Sequence, residues 1–186
     1  MEARRQTLRF TSSRLSILCW LVFGASQVLG QGVEFAEYKL KLAFLYNFAR
    51  FVEWPTDAFA GSSAPLTLCI AGDDPFQGEP EADLRGRTVA GHPIEIKRLP
   101  AADNTRACHL MFVPAEAARA SKKIIAASRG SSTLTVGEVP GFAEQGGIIN
   151  FVRKEDHLSF EINIGAAGQN GLKISSKLLA LGKIVR

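Results

Sequence analysis

Residues 38–55 read Y-K-L-K-L-A-F-L-Y-N-F-A-R-F-V-E-W-P, and the rest of the chain is organised around them. At 100° per residue the apolar side chains form two rows, which together cover roughly 200° of the helix circumference instead of the ~100° stripe of a surface helix. The rows are Tyr38, Leu42, Leu45, Ala49, Val52 and Leu40, Phe44, Phe48, Phe51. This pattern predicts a helix that ends at Trp54-Pro55. Two interpretations stay open: a helix covered by the core alone, or a core helix whose second row also meets a partner.

The first 30 residues are typical of a secretory signal peptide. Four arginines are followed by the apolar run Leu15–Phe23, which is too short to span a membrane comfortably. Val28 and Gly30 fit the −3 and −1 positions, so we expect cleavage after Gly30, with Gly24 or Ser26 as the alternative. This predicts an exported protein, with a signal peptide over residues 1–30 and one domain over residues 31–186.

The charge of the chain is set largely by its leader. The full sequence has a net charge of +4, and removing residues 1–30 takes away four arginines and Glu2, which leaves +1. Beyond residue 30 the longest basic runs are doublets, Lys97-Arg98, Lys122-Lys123 and Arg153-Lys154. This distribution disfavours nucleic acid as a partner, because nucleic-acid binding needs a concentrated basic surface.

Two cysteines remain after export, Cys69 and Cys108, and both lie in short apolar stretches. In an oxidising compartment this arrangement favours a disulfide. Two buried thiols are the alternative.

The order of apolar segments predicts an α/β fold. Leu66–Ala71 and Cys108–Val113 are continuously apolar, as buried strands are, whereas Ile94–Leu99 alternates as a half-exposed strand does. Gly146–Arg153 and Leu158–Ile164 flank a polar turn and predict a β-hairpin. We expect a three-layer sandwich: a mainly parallel sheet with an antiparallel hairpin at one edge, and helices on both faces. The last helix is predicted over Ala166–Val185.

Few residues are candidates for chemistry. Asp73 and Asp74 follow a predicted strand and Glu138 follows another, so they should lie near the carboxyl ends of the strands, where α/β proteins bind ligands. They define a candidate ligand pocket, although Asp73 or Asp74 capping a helix is the simpler interpretation. The three histidines have no second ligand at metal-binding spacing, and no nucleophile elbow is present. We therefore predict no catalytic site, no metal site and no cofactor.

Several segments together resemble one family, the YfiR-like periplasmic proteins. The similar segments span nearly all of the chain after residue 37: Tyr38–Pro55, Leu68–Phe76, Cys108–Val113, Leu134–Val136, Gly141–Ala143, Gly146–Phe151, Phe160–Ile164 and Gly171–Leu179.

This resemblance implies a non-enzymatic regulator. The best-known members bind the periplasmic sensor region of an inner-membrane diguanylate cyclase and hold it inactive, which lowers cyclic di-GMP and restrains biofilm formation. An outer-membrane lipoprotein can sequester them, and they tend to form homodimers. The resemblance also implies a disulfide between Cys69 and Cys108. Relatives carry a second cysteine pair late in the chain; this sequence has no cysteine after Cys108, so control through a second bridge is not implied.

The residues that we expect at a dimer or partner surface come from the first and last predicted helices: Phe44, Phe48, Phe51, Leu172 and Leu179. A second hypothesis is a periplasmic module that senses a small molecule through the pocket near Asp73, Asp74 and Glu138.

Overall fold

A computed structural model describes residues 34–76, 80–100, 105–154 and 157–186. The predicted signal peptide lies outside these residues. By its contacts the chain divides into two units, residues 1–39 and residues 40–186. In the described part of the first unit, residues 34–39 are helical and the ammonium of Lys39 lies 5.1 Å from the ring centre of Phe35. All that follows concerns the second unit.

Five α-helices and ten strands are described. The helices are α1 (34–50), α2 (Pro80–Leu84), α3 (Ser121–Ser128), α4 (Ile164–Gln169) and α5 (Ser176–Leu179). The strands are β1 (Val52–Glu53), β2 (Leu66–Ala71), β3 (Thr88–Val89), β4 (His92–Leu99), β5 (Leu110–Val113), β6 (Leu134–Gly137), β7 (Ile149–Lys154), β8 (His157–Asn163), β9 (Lys173–Ile174) and β10 (Lys183–Val185). Two 3-10 helices cover Thr105–Ala107 and Ala115–Ala120.

The main sheet has eight strands in the order β10-β8-β7-β6-β5-β2-β4-β3. Five neighbouring pairs are parallel, whereas β7–β8 and β3–β4 are antiparallel. The predicted α/β fold with a mainly parallel sheet and an antiparallel hairpin is therefore confirmed. The hairpin β7–β8 lies toward one edge of the sheet, with the short strand β10 added outside it.

The two faces of the sheet are covered by different side chains. On one face the rings of Phe44 and Phe48 in α1 contact Phe151 and Phe160 of the hairpin. The other face carries a cluster that includes Met111 of β5 together with residues of α3. Because Leu110 and Phe112 alternate with Met111 and Val113 along β5, one strand serves both cores, which produces the three layers.

The disulfide is present and joins Cys69 of β2 to Cys108, just before β5, with 5.8 Å between their Cα atoms. Both cysteines are buried in the cluster beneath α3. The bridge spans a sequence separation of 39 residues, which contains the whole α2–β4 segment.

The first helix ends earlier than Trp54. Its last turn closes at Phe51, whose amide bonds the carbonyls of Asn47 and Phe48, and Val52–Glu53 then pairs with Lys173–Ile174 as a two-stranded antiparallel sheet. The prediction that proline ends the helix is wrong, because a tertiary strand pairing replaces the last helical turn.

The predicted long helix over Ala166–Val185 is also wrong. Two short helices and two short strands occupy these residues. Gly171 has φ +70°, in the left-handed region that interrupts a helix. At Gly182 a Cβ atom would lie 2.6 Å from the ring of Phe160, so only glycine lets β10 approach β8 here.

We predict that replacing both cysteines with alanine lowers the free energy of unfolding by roughly 4 kcal/mol, because the unfolded chain loses a constraint on a loop of about 40 residues. Urea unfolding of the oxidised protein, with and without reductant, measures this. The alanine variant is the control, since reductant should leave it unchanged. Equal stability of the oxidised and reduced wild-type protein would contradict the prediction.

Candidate functional site

The carboxyl ends of β2, β5 and β6 lie side by side, as the sequence predicts for parallel strands. Glu138 follows β6, and its carboxylate forms a buried ion pair with Lys41 of α1; each side chain is 7% exposed. The other oxygen of Glu138 accepts a hydrogen bond of 3.0 Å from the amide of Ala115, which begins the segment after β5. Glu138 therefore joins α1 to the ends of two strands.

Asp74 is equally engaged. Its Oδ1 accepts a hydrogen bond of 2.8 Å from the amide of Phe76, and its Oδ2 accepts one of 2.7 Å from Nε of Arg98 in β4. The same guanidinium makes a two-pronged contact with Glu81 of α2. The hydrogen bonds from Arg98 hold the pKa of Glu81 below its usual value, and those to Glu81 and Asp74 raise the pKa of Arg98. This cluster fastens α2 to the ends of β2 and β4.

These contacts bear on the predicted ligand pocket. Asp74 and Glu138 are already bound to cations of the same chain, and Asp73 is exposed. The two cavities described below are lined by none of the three residues. A ligand at this edge stays a prediction that these contacts do not favour.

The five residues of the predicted partner surface differ in exposure. Phe48 is fully buried and Leu172 is 3% exposed, so neither can present its side chain to a partner in this conformation. Phe44, Phe51 and Leu179 are partly exposed. Four other large apolar side chains are exposed: Leu40, which belongs to the second apolar row of the first helix, and Ile164, Leu181 and Ile184.

Glu161 and Asn163 alternate along β8 and both have partners within the chain. Asn163 is buried: its amide nitrogen donates to the carbonyl of Ala143 over 2.8 Å, and its Oδ1 accepts from the amide of Ala166 over 2.9 Å as the N-cap of α4. Glu161 pairs with Lys183 of β10 over 2.9 Å. Both side chains hold the C-terminal elements in place.

At the opposite, amino edge of the sheet, the ring of Phe59 is stacked between two imidazoles. Its centre lies 3.8 Å from that of His92 and 4.4 Å from that of His109. His92 bonds the carbonyl of Ala64 through Nδ1 over 2.6 Å, so the loop 55–65 is held at two points. Sequence reasoning missed this stack, because no spacing relates residues 59, 92 and 109.

His109 is held neutral by its contacts. Its Nδ1 accepts a hydrogen bond of 3.0 Å from the amide of Thr67, so Nε2 carries the proton and donates to the carbonyl of Ala58 over 3.0 Å. Burial lowers the pKa of His109; the bond to Ala58 opposes this, and the charge of His92 adds to it. A second proton would have to displace the bond from Thr67.

Two cavities of about 310 Å³ are described. The first lies at the amino edge and is lined by the loop 55–65, His109 and Glu95 of β4, with Lys97 and Arg106 also contributing. The second lies between β4 and the segment from α2 to β3. Within residues 34–76, 80–100, 105–154 and 157–186, no group of three metal-ligating side chains is present, and no described helix is long and apolar enough to cross a membrane.

Comparison with known proteins gives one family. The sequence profile described as YfiR/HmsC-like matches residues 38–183. A crystal structure of a conserved domain protein from Vibrio cholerae O1 biovar El Tor is similar with a TM-score of 0.47 and 11% identity, over 65% of this chain and 55% of that chain. No curated protein matches the sequence.

We predict that Glu138→Gln lowers the free energy of unfolding by about 3 kcal/mol, because it removes the carboxylate that faces a buried ammonium. Chemical denaturation measures this, and the double variant Lys41→Met, Glu138→Gln should recover much of the loss. Glu161→Gln, which breaks the exposed pair with Lys183, is the matched control and should change little. A loss from Glu161→Gln as large as that from Glu138→Gln would contradict the prediction.

We also predict that the chain loses stability as the pH falls below about 6.5, the ordinary pKa of histidine in an unfolded chain. Because the folded state depresses the pKa of His109, the unfolded state binds the proton first, so the contribution is complete above that pH and decreases below it. Urea unfolding at pH 8, 7, 6 and 5 should show a shallower loss in His109→Gln than in the control His157→Gln. Equal slopes in the two variants would contradict this.

Proposed function

The chain belongs to the YfiR/HmsC-like family, and from this we propose that it binds the periplasmic sensor region of an inner-membrane diguanylate cyclase and represses it. The observation that carries the proposal is the match over residues 38–183, which takes in most of the apolar helix α1 and the C-terminal elements as far as the start of β10. Repression would lower cyclic di-GMP and with it biofilm formation. Export through the predicted signal peptide of residues 1–30 would place the chain in the same compartment as that sensor region.

Exposed apolar side chains support binding to a protein. Leu40 is 48% exposed, and four residues later Phe44 lies on the same side of α1 and contacts Phe160. Gly182 also lies against the Phe160 ring. Ile184 of β10 pairs with Ile162 of β8, which puts it on the same face of the sheet as Phe160, and it is 51% exposed. These residues bring an apolar strip from α1 to the edge of the sheet, which is the composition that protein interfaces favour.

We propose that this apolar strip, with Phe51, Leu179 and the neighbouring Leu181, serves the cyclase or a second copy of the chain. A homodimer and sequestration by an outer-membrane lipoprotein are part of the same proposal, since both follow from the family. Phe48 and Leu172 are buried, so the proposal gives the exposed residues the direct contacts with a partner.

The polar side chains at both edges of the sheet are engaged in structural contacts, which is consistent with a regulatory role. At the carboxyl edge, Glu138 and Asp74 hold structural elements together, and at the amino edge both nitrogens of His109 are engaged by backbone groups. A general acid or base must be able to exchange a proton with a substrate. We therefore propose that the chain is not an enzyme.

A small-molecule sensor is the alternative. The amino-edge cavity supports it better than the pocket first predicted near Asp73, Asp74 and Glu138, because it has the volume of a small ligand and cationic side chains at its rim. A thermal-shift screen of metabolites distinguishes the two functions, since a true ligand at a hundred times its dissociation constant stabilises the fold by about 2.7 kcal/mol.

We expect deletion of the gene to raise cyclic di-GMP, because the cyclase loses its repressor. Re-expression of the wild-type chain should restore the lower level, whereas Leu40→Glu should not, since it places a charge in the apolar strip without disturbing the core. Lys122→Glu, a charge change on an exposed face of α3, is the control. Measurement of cyclic di-GMP, with co-purification of the cyclase sensor region, checks this. An unchanged nucleotide level after deletion would contradict the proposed function.

A further inference from the structure

The strand β4 has an outer edge that is largely unpaired. On its inner side, residues Ile94–Leu99 pair with the whole of β2. On its outer side only the two residues of β3 pair with it, opposite His92 and Pro93. In the part of the chain that the structure describes, no strand pairs with the outer side of β4 beyond Pro93.

The turn between β3 and β4 shows which backbone groups face outward. Ala90 and Gly91 have φ values of 50° and 86°, so the hairpin has a two-residue turn of the type with two positive φ angles. In such a hairpin the flanking residues, here Val89 and His92, form the hydrogen-bonded pair. Backbone groups alternate in direction along a strand, so those of Ile94, Ile96 and Arg98 face outward.

A second observation supports this assignment. The carbonyl of Leu99 accepts a hydrogen bond of 2.8 Å from the amide of Gly72, which lies on the β2 side. Leu99 has the opposite parity to Ile94, Ile96 and Arg98, as the alternation requires. The outer edge of β4 therefore offers the amides and carbonyls of three residues, which is enough to pair with an added strand of similar length.

An apolar groove lies next to this edge. The second cavity, of about 310 Å³, has Ile94 and Ile96 on one side and Leu84 on the other. Arg85 and Arg87 complete the wall that α2 and the following turn provide. A strand paired with β4 would direct alternate side chains toward this groove, because successive side chains of a strand point to opposite faces.

The mouth of the groove is positively charged. Arg85 and Arg87 are exposed, and among the described residues neither has a carboxylate within ion-pair distance. The guanidinium of Arg87 lies 5.1 Å from the ring centre of Tyr46, and that of Arg50 lies 5.5 Å from the same ring. Of the two acidic residues of α2, Glu81 is bound by Arg98, which leaves Asp83 as the nearest counter-charge on that helix.

We propose that this edge and groove bind an extended segment of a partner protein, in which apolar side chains alternate with at least one carboxylate. Backbone pairing with β4 would supply affinity, and the groove and arginines would supply selectivity. A second copy of this chain suits the site poorly, because a symmetric contact would bring the same arginines of both copies together. The inference rests on the proposed function only in that the chain acts by binding a protein.

Selection from a displayed library of random seven-residue peptides, on the protein purified from the periplasm, tests the proposal. Enriched peptides should alternate apolar residues and carry an acidic one. A synthetic peptide of the most frequent sequence should bind about tenfold more weakly to Ile96→Pro, which removes one outward amide and leaves the pairing with β2 intact. Arg85→Glu with Arg87→Glu should weaken it by at least as much, whereas Lys122→Glu with Lys123→Glu, the same charge change on α3, should not.

The charge variants keep the test valid if Ile96→Pro does not fold. The inference would be overturned if no peptide is enriched, if the enriched peptides lack acidic residues, or if the peptide binds equally to the wild type and the Arg85, Arg87 variant. It would also be overturned if the wild-type protein is a dimer that Ile96→Pro dissociates. If the cyclase sensor region binds the wild type and the groove variants equally, the groove inference is wrong and the proposed function stands. If acidic peptides are selected but no sensor region binds, the proposed function is wrong and the groove inference stands.

Discussion

The contact on which the second unit depends is the packing of Phe48 against the hairpin. Its ring centre lies 4.9 Å from that of Phe160 and 5.6 Å from that of Phe151, and none of its surface is exposed. Burying an aromatic side chain of this size contributes about 2–3 kcal/mol, and edge-to-face contacts add to it. Because Phe151 and Phe160 are opposite each other in the β7–β8 pairing, this packing also selects the register of the hairpin.

The sequence predicts the strands better than the helices at the chain's ends. Leu66–Ala71 is fully buried and Leu110–Val113 is fully buried, so their uniform apolar composition is a direct consequence of helices on both faces. The last helix could not be predicted in the same way. Its apolar spacing is helical, but the approach of Gly182 to Phe160 and the pairing of β10 with β8 depend on residues about 20 positions away, which a local pattern does not contain.

The same limit explains the candidate site. Parallel strands bring Asp74 and Glu138 to one edge, and the order of the strands in the sequence indicates this. The sequence does not indicate that Glu138 pairs with Lys41, 97 residues earlier, or that Asp74 pairs with Arg98. In the sequence the carboxylates of Asp74 and Glu138 are candidates for binding a ligand. In the structure their ion pairs hold neighbouring elements together. The buried pair has to be satisfied internally, because an unpaired charge at 7% exposure is strongly destabilising.

The two lateral ends of the main sheet, at β10 and at β4, differ in how readily they can pair with a strand of another chain. At one end β10 is three residues long and carries Lys183, whose charge is matched by Glu161 of β8. Short strands and lysine are devices that discourage pairing with another chain. At the other end β4 is eight residues long. Beyond Pro93 its outer edge is paired with no strand of the described residues and lies beside an apolar groove. Charged side chains at Glu95, Lys97 and Arg98 limit indiscriminate association there. An edge that is charged yet left long, with a groove and two arginines beside it, selects for a partner of complementary charge.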